Sequence, residues 1–331
     1  MFSRKVGNDQ REVEALLTRA EKAAAKIRVE VRWALDVTSG PAALLLTVLA
    51  PTGQPVVYVP GRTVNRMAGA FAVEAKTDVK DARTIAETAR LRADLSPVTG
   101  PDPLVGELQV LTARRADLMA DWVRGINRVR ELLTSIFPAL ERAFDYSTRS
   151  ALILLTGFQT PAGLRAAGIE GVAGYLREHG ACATGIPAMA ARACTVAGKQ
   201  TIALPTEATT APLIARLAAQ LLDLDREIKH LDAQIGDRFA EHPDAPRITS
   251  VDGFGPILGA QLLADTGGNL QAVFGNAGRL AAYSGLAPVP RDSGRVRGNL
   301  HRPKRYHRGL RRVFYLAALS AIRRDNLARA Y

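Results

Sequence analysis

The chain has 331 residues, 47% of them hydrophobic, enough apolar material for one or two packed cores. The charged start MFSRKVGNDQREVE has no secretory apolar segment, no apolar run reaches the roughly 18–20 residues of a membrane span, and Cys182 and Cys194 stand apart from any His/Cys cluster, which argues against a signal peptide, a membrane partner, a disulfide framework or a zinc site and fits a reducing cytoplasm. Of the net charge of +12, +10 falls between Val289 and Tyr331, where twelve Lys and Arg face two Asp and Glu, and a block this dense either meets a polyanion or is a solvated tail.

In chain order, QREVEALLTRAEKAAAK (10–26) predicts a helix, and the alternating, Val-rich RVEVRWALDV (28–37) predicts a strand. SGPAALLLTVLAPTG follows as a short helix closed by a Pro/Gly turn, and PVVYVP (55–60) as a second, buried strand. Strand and helix in alternation predict a parallel α/β sheet. KTDVKDARTIAETARLRADL then predicts a helix to about Arg92, with Thr77 or Asp78 as its N-cap.

From Pro103 the pattern is helical only. A long amphipathic helix over 103–137 precedes short helices and Gly/Pro turns over 150–205. Over 210–240, Leu217, Leu221, Leu224, Ile228, Leu231 and Ile235 recur at coiled-coil spacing, which suits a dimer seam or packing against the 103–137 helix.

ITSVDGFGPILGAQLLADTG (248–267) has the form of a helix-hairpin-helix. Gly253 and Gly255 make a tight turn, either as plain interhelical geometry or so that N–H groups at the next helix start hold a phosphate. The basic block that follows favours nucleic acid. Its Arg291, Arg295, Arg297, Arg302, Lys304, Arg305, Arg308, Arg311 and Arg312 are candidates to face phosphates, and interleaved Tyr306, Phe314 and Tyr315 mark a folded segment.

Three carboxylates draw attention. Asp78 and Asp81, three apart, share a helix face, where they repel each other unless a cation such as Mg²⁺ lies between them. As N-cap and first-turn acid they equally suit the helix dipole, and spacing alone leaves both readings open. Asp36, in WALDVTSG, ends an apolar strand, where a carboxylate faces the ligand crevice of an α/β sheet or starts a turn. Three carboxylates around one crevice suit metal-assisted phosphodiester chemistry.

Taken together, LDVTSGPAALLL, YVPGRTVNRMAG, EAKTDVKDAR, VDGFGPILGAQLLADTGG, RLAAYSGLAPVPRDSG and LHRPKRYHRGLRRVFYLAAL resemble the DEDD transposases of the IS110 class of bacterial insertion sequences, in order and over nearly the whole chain. The resemblance implies an α/β, RNase H-like (RuvC-like) domain over 1–100, a helical and coiled-coil segment over 101–245, and a mostly α transposase domain with a helix-hairpin-helix over 246–331. It implies a DNA recombinase, some members being guided by a bridge RNA. By the family pattern Asp36, Asp78 and Asp81 bind Mg²⁺, and Ser293 of RDSG is the nucleophile that becomes linked to DNA, with arginines neutralising the phosphate under attack. A homodimer or homotetramer, in a bacterial cytoplasm at the nucleoid, is implied as well.

The chain departs from the pattern in three places. The strand that carries the family's first acidic ligand does not precede MFSRKVGNDQ, Asp36 stands where Glu is usual, and the chain ends at Tyr331 before a basic helix. A truncated copy is therefore expected, either an active recombinase with a misassigned start or a non-catalytic nucleic-acid-binding remnant. A RuvC-type nuclease is a third reading, against which Ser293 argues, because two-metal hydrolysis needs no protein nucleophile.

Overall fold

The computed structural model describes residues 4–37, 40–68, 77–92, 95, 97–98, 102–295 and 297–323. It is mostly helical with few strands, and it divides into two compact units, 1–106 with 263–308 and 107–262 with 309–331.

The first unit opens with α1 (Gln10–Ile27), whose start is capped by Asp9, Oδ1 accepting from the N–H groups of Arg11 and Glu12. Arg28 ends it in the left-handed region (φ 52°), so the expected strand over 28–37 shortens to β1 (Trp33–Leu35): its first residues are spent on closing the helix. After α2 (Ala43–Leu49), β2 (Val56–Tyr58) pairs with β1 in parallel, Trp33 opposite Val56 and Leu35 opposite Tyr58. α3 (Gly61–Ala68) and α4 (Asp78–Leu91) follow.

The alternation of strand side chains sorts two small apolar clusters. Trp33, Leu35 and Val56 pack with Ala42, Leu46 and Leu49 of the α2 region, while Ala34, Val57 and Val59 pack with Val64, Ile85 and Ala89 of α3 and α4. A parallel pair with helices on both faces is what the alternating sequence predicts. The later part of this unit holds α13 (Leu270–Phe274), α14 (Ala277–Tyr283) and a hairpin of β3 (Val289–Pro290) and β4 (Leu300–His301), antiparallel with Val289 opposite His301.

The second unit is built on α5 (Pro103–Ile136) and α10 (Glu207–Ala240), each 34 residues long. Ion pairs Arg238–Glu107, Arg115–Asp232 at 2.5 Å and Arg114–Glu227 at 2.7 Å make the two helices antiparallel. A Cβ on Gly125 of α5 would lie 2.7 Å from Leu221 Cδ2, so the glycine lets the helices approach closely. The apolar seam of α10 thus packs within the chain. Leu221, Ile228, Leu231 and Ile235 are buried, and Leu217 and Leu224 half-buried.

The connection between these two helices folds as α6 (Pro138–Glu141), α7 (Arg149–Gly157), α8 (Pro161–Glu178) and α9 (Ile186–Gly198). They share one core with the adjoining ends of α5 and α10, around Leu133, Phe137, Leu152, Leu164, Ala190 and Ile214. Past the other end of α10 come α11 (Ala245–Thr249) and α12 (Pro256–Thr266), and, after α13, α14 and the hairpin, α15 (Arg308–Ile322).

Candidate functional site

The carboxylates fall at the end of a strand and at the start of a helix of the first unit. Asp36 follows β1 directly and is exposed; Asp78 and Asp81 lie in the first turn of α4, exposed and half-buried. Thr77 is the N-cap, its hydroxyl accepting from Lys80 N–H at 3.3 Å, so the cap does not occupy Asp78. None of the three carboxylates makes a side-chain hydrogen bond or ion pair among the described residues.

The direction of α4 relates these acids to β1. Arg32, just before β1, donates from Nη1 to Ala89 O at 3.2 Å, and Ala34 and Ile85 pack into the same cluster. Strand and helix therefore run antiparallel. The end of β1 that carries Asp36 and the start of α4 therefore lie toward the same end of the two elements. An all-carboxylate donor set suits a hard divalent cation. Yet no three Asp, Glu, His or Cys side chains among the described residues come close enough to hold one. Thr38 and Ser39 of the VTSG stretch lie outside the described residues.

Ser293 lies in the turn of the β3–β4 hairpin and is exposed. Arg291 N–H donates to Asn299 O at 2.8 Å, continuing the ladder, and Asp292 Oδ1 accepts from Asn299 N–H at 3.1 Å. His301 pairs with Val289 at the base of the hairpin, away from its turn. Sequence reasoning missed this hairpin. Its signal was the Asp-Ser-Gly turn and Gly298 (φ 78°) between two short segments, obscured by Pro290.

Beside the hairpin the basic block forms two open hollows. Arg291, His301, Arg302, Pro303, Lys304 and Tyr306 line one of about 470 Å³; Lys304, Arg305, Tyr306 and Arg308 line another of about 330 Å³. Lys304 and Tyr306 are common to both. Gly285 (φ 75°) backs the Tyr306 ring, since a Cβ there would lie 2.5 Å from the ring Cγ.

Arg291, Arg295, Arg297, Arg302, Lys304, Arg305, Arg308 and Arg312 are exposed and have no ion-pair partner among the described residues. Elsewhere Arg114, Arg115, Arg130 and Arg238 each face a carboxylate. Cations left uncompensated and adjacent raise a local positive potential that phosphates can neutralise. Arg311 differs from the rest: it is half-buried and engaged within the protein.

The two turn glycines have unlike surroundings. A Cβ on Gly253 (φ 89°) would collide with the Ala317 carbonyl oxygen of α15, so this glycine lets the turn meet that helix. Gly255 has open space around it, and α12 begins at the next residue with Pro256 at its first position. Of the pair, Gly255 is the one with room for a ligand.

Residues 1–138 match the family model for the DEDD transposase domain of IS110-type elements, described as "Transposase", and residues 245–331 match "Transposase IS116/IS110/IS902 family". The whole chain aligns at 48% identity with 81% of an uncharacterized 44.8 kDa protein of insertion element IS116 from Streptomyces clavuligerus. It aligns at 47% identity, again over its whole length, with 82% of the 42 kDa protein of insertion element IS900 from Mycobacterium paratuberculosis. A 43.6 kDa protein of insertion element IS110 from Streptomyces coelicolor is 34% identical over 90% of this chain and 73% of its own.

Proposed function

Because the chain belongs to the IS116/IS110/IS902 family of insertion-sequence transposases, we propose that it recombines DNA at the ends of such an element, with the Ser293 hydroxyl as nucleophile. The DEDD domain of the family implies a RuvC-like fold and divalent-metal chemistry. The observation that carries the reading is the exposed Ser293 in a hairpin turn whose neighbours Arg291, Arg295 and Arg297 are cations without carboxylate partners among the described residues.

In this reading Ser293 Oγ attacks a backbone phosphorus. A Ser–O–P bond forms, a P–O bond to the neighbouring sugar breaks, and the sugar leaves as a hydroxyl. Arg291, two residues before Ser293, would bind the phosphate oxygens that gain charge. Asp36, Asp78 and Asp81 would hold Mg²⁺, which when bound stabilises charge on phosphoryl oxygens. The basic hollows beside the hairpin hold the DNA backbone. A homodimer or homotetramer, in which serine and carboxylates come from different protomers, and a guide RNA that selects the target complete the proposal, with the bacterial nucleoid as the place of action.

The test is adduct formation. The chain is incubated with element-end DNA and Mg²⁺ and run under denaturing conditions. A covalent protein–DNA species is expected, absent in Ser293→Ala, while DNA binding by that variant is unchanged because no charge is removed. Binding without an adduct in the parental chain would identify a DNA-binding member without recombinase activity. Ser293→Ala cutting and rejoining DNA at the parental rate would end the serine mechanism.

A further inference from the structure

Tyr283, the last residue of α14, is 47% exposed although it is a large aromatic. Its ring stacks on His307, with centroids 5.5 Å apart and planes 22° from parallel, and meets Phe274 at 5.5 Å in a tilted contact. His307 is held in its turn. Its backbone N–H donates to Tyr283 O at 2.8 Å, and its Nδ1 lies 3.9 Å from Asp265 Oδ2. The ring is thus supported from behind and from its edge, which fixes its orientation before anything binds.

The same short segment carries the cations. Tyr306 precedes His307, and Gly285, two residues beyond Tyr283, lies under the Tyr306 ring. Tyr283 and the hollow lined by Lys304, Arg305 and Arg308 therefore stand on neighbouring steps of two paired segments. A nucleotide likewise has its base and its phosphate one sugar apart. Bases stack on aromatic rings irrespective of sequence, while cations beside the ring take the backbone. Within a duplex both faces of each base are already covered by its neighbours, so only an unpaired base can lie on an aromatic ring.

The geometry points to a binding site for an unpaired nucleotide of a nucleic-acid strand, with its base on Tyr283 and its phosphate in the Lys304–Arg305–Arg308 hollow. This rests on the nucleic-acid reading of the basic block and adds to it a demand for single-stranded character at this position. DNA and RNA strands share the required chemistry.

The full chain, as wild type and as Tyr283→Ala, Tyr283→Phe and Tyr283→Trp, is titrated with equal-length single-stranded DNA, single-stranded RNA, duplex DNA and a DNA strand with abasic positions. Tyr283→Ala is expected to bind the single strands roughly 5- to 100-fold more weakly and the duplex as before, with Tyr283→Phe close to wild type. Wild type is expected to lose a similar factor on the abasic strand. The emission gained in Tyr283→Trp is expected to be quenched by strands that carry bases and not by the abasic one. Whichever of DNA and RNA shows the larger Tyr283→Ala effect is the strand that occupies the site.

Should Tyr283→Ala fail to fold, the abasic strand with wild-type protein decides the matter. Equal affinity for intact and abasic strands, or an equal loss on the duplex, overturns the platform and leaves the phosphate-binding block standing. Failure of every probe to bind wild type overturns the nucleic-acid reading and the platform with it.

Discussion

Asp292 and Asn299 tie the hairpin together one residue before Ser293: the Asp292 carboxylate accepts the Asn299 backbone N–H at 3.1 Å. A carboxylate next to a residue that approaches phosphate is electrostatically unfavourable, so its place there is explained by the hydrogen bond it accepts.

Asp292→Ala is accordingly expected to slow adduct formation by roughly 10- to 100-fold, the cost of a nucleophile misplaced by about an ångström, with DNA affinity unchanged or slightly higher. Asp292→Asn keeps an oxygen acceptor and is expected to restore most of the rate. Single-turnover adduct assays with binding measured in parallel check this, and an Ala variant at the parental rate would show that the clamp does not position Ser293.

Replacing Arg302, Lys304 and Arg305 together by Ala is expected to flatten the dependence of log K on log salt by roughly 0.9 for each duplex-DNA phosphate that these side chains neutralise. The three side chains are exposed without ion-pair partners among the described residues, so no salt bridge is broken by removing them. Anisotropy titrations across salt concentrations measure the slope, and an unchanged slope would remove these residues from the DNA path.

If Asp36 and Asp81 bind Mg²⁺ together, the ion stabilises the fold by about 2.7 kcal/mol at a hundred times its Kd. Thermal melts with and without Mg²⁺ should show this in wild type and not in Asp36→Asn or Asp81→Asn. Without the ion, Asp81→Asn is expected to melt close to wild type, because relief of the repulsion with Asp78 offsets the loss of a first-turn negative charge at the helix N-terminus. An undiminished Mg²⁺ response in both variants would place the ion elsewhere.

Gly253→Ala is expected to destabilise the protein by about 2–5 kcal/mol, from backbone strain at φ 89° together with the collision against Ala317. Gly255→Ala, where space is open, should cost under about 1 kcal/mol. Urea unfolding of the two variants separates them, and equal midpoints would contradict the packing described for this turn.

What the sequence revealed follows from how local each signal is. The helices at 10–27, 78–91, 103–136 and 207–240 were legible because periodicity and caps act within a few residues. β1 was legible as a strand but overextended, since nothing in RVEVR announces that Arg28 closes the preceding helix. The antiparallel packing of α5 on α10 was one of two readings. Arg115–Asp232 and Gly125 against Leu221 settle it, by pairing residues about a hundred positions apart. At the candidate site, Ser293 and the carboxylates were singled out from motifs. The Asp292–Asn299 clamp and the stack of Tyr283 on His307 depend on chain reversals that no short pattern encodes.

The equal length of α5 and α10 makes the pair a ruler. At about 1.5 Å per residue each helix measures about 51 Å, and the α6–α9 core is mounted where the two meet. Its graduations are heptads. Seven residues added to both helices at the same level would carry that core about 10 Å further from α11 with its azimuth nearly kept, whereas four would swing it to another side of the seam. Reach and heading of the α6–α9 core are thus written in the number of residues between Gly125 and Glu107 on one helix and Leu221 and Arg238 on the other, independently of what those residues bind.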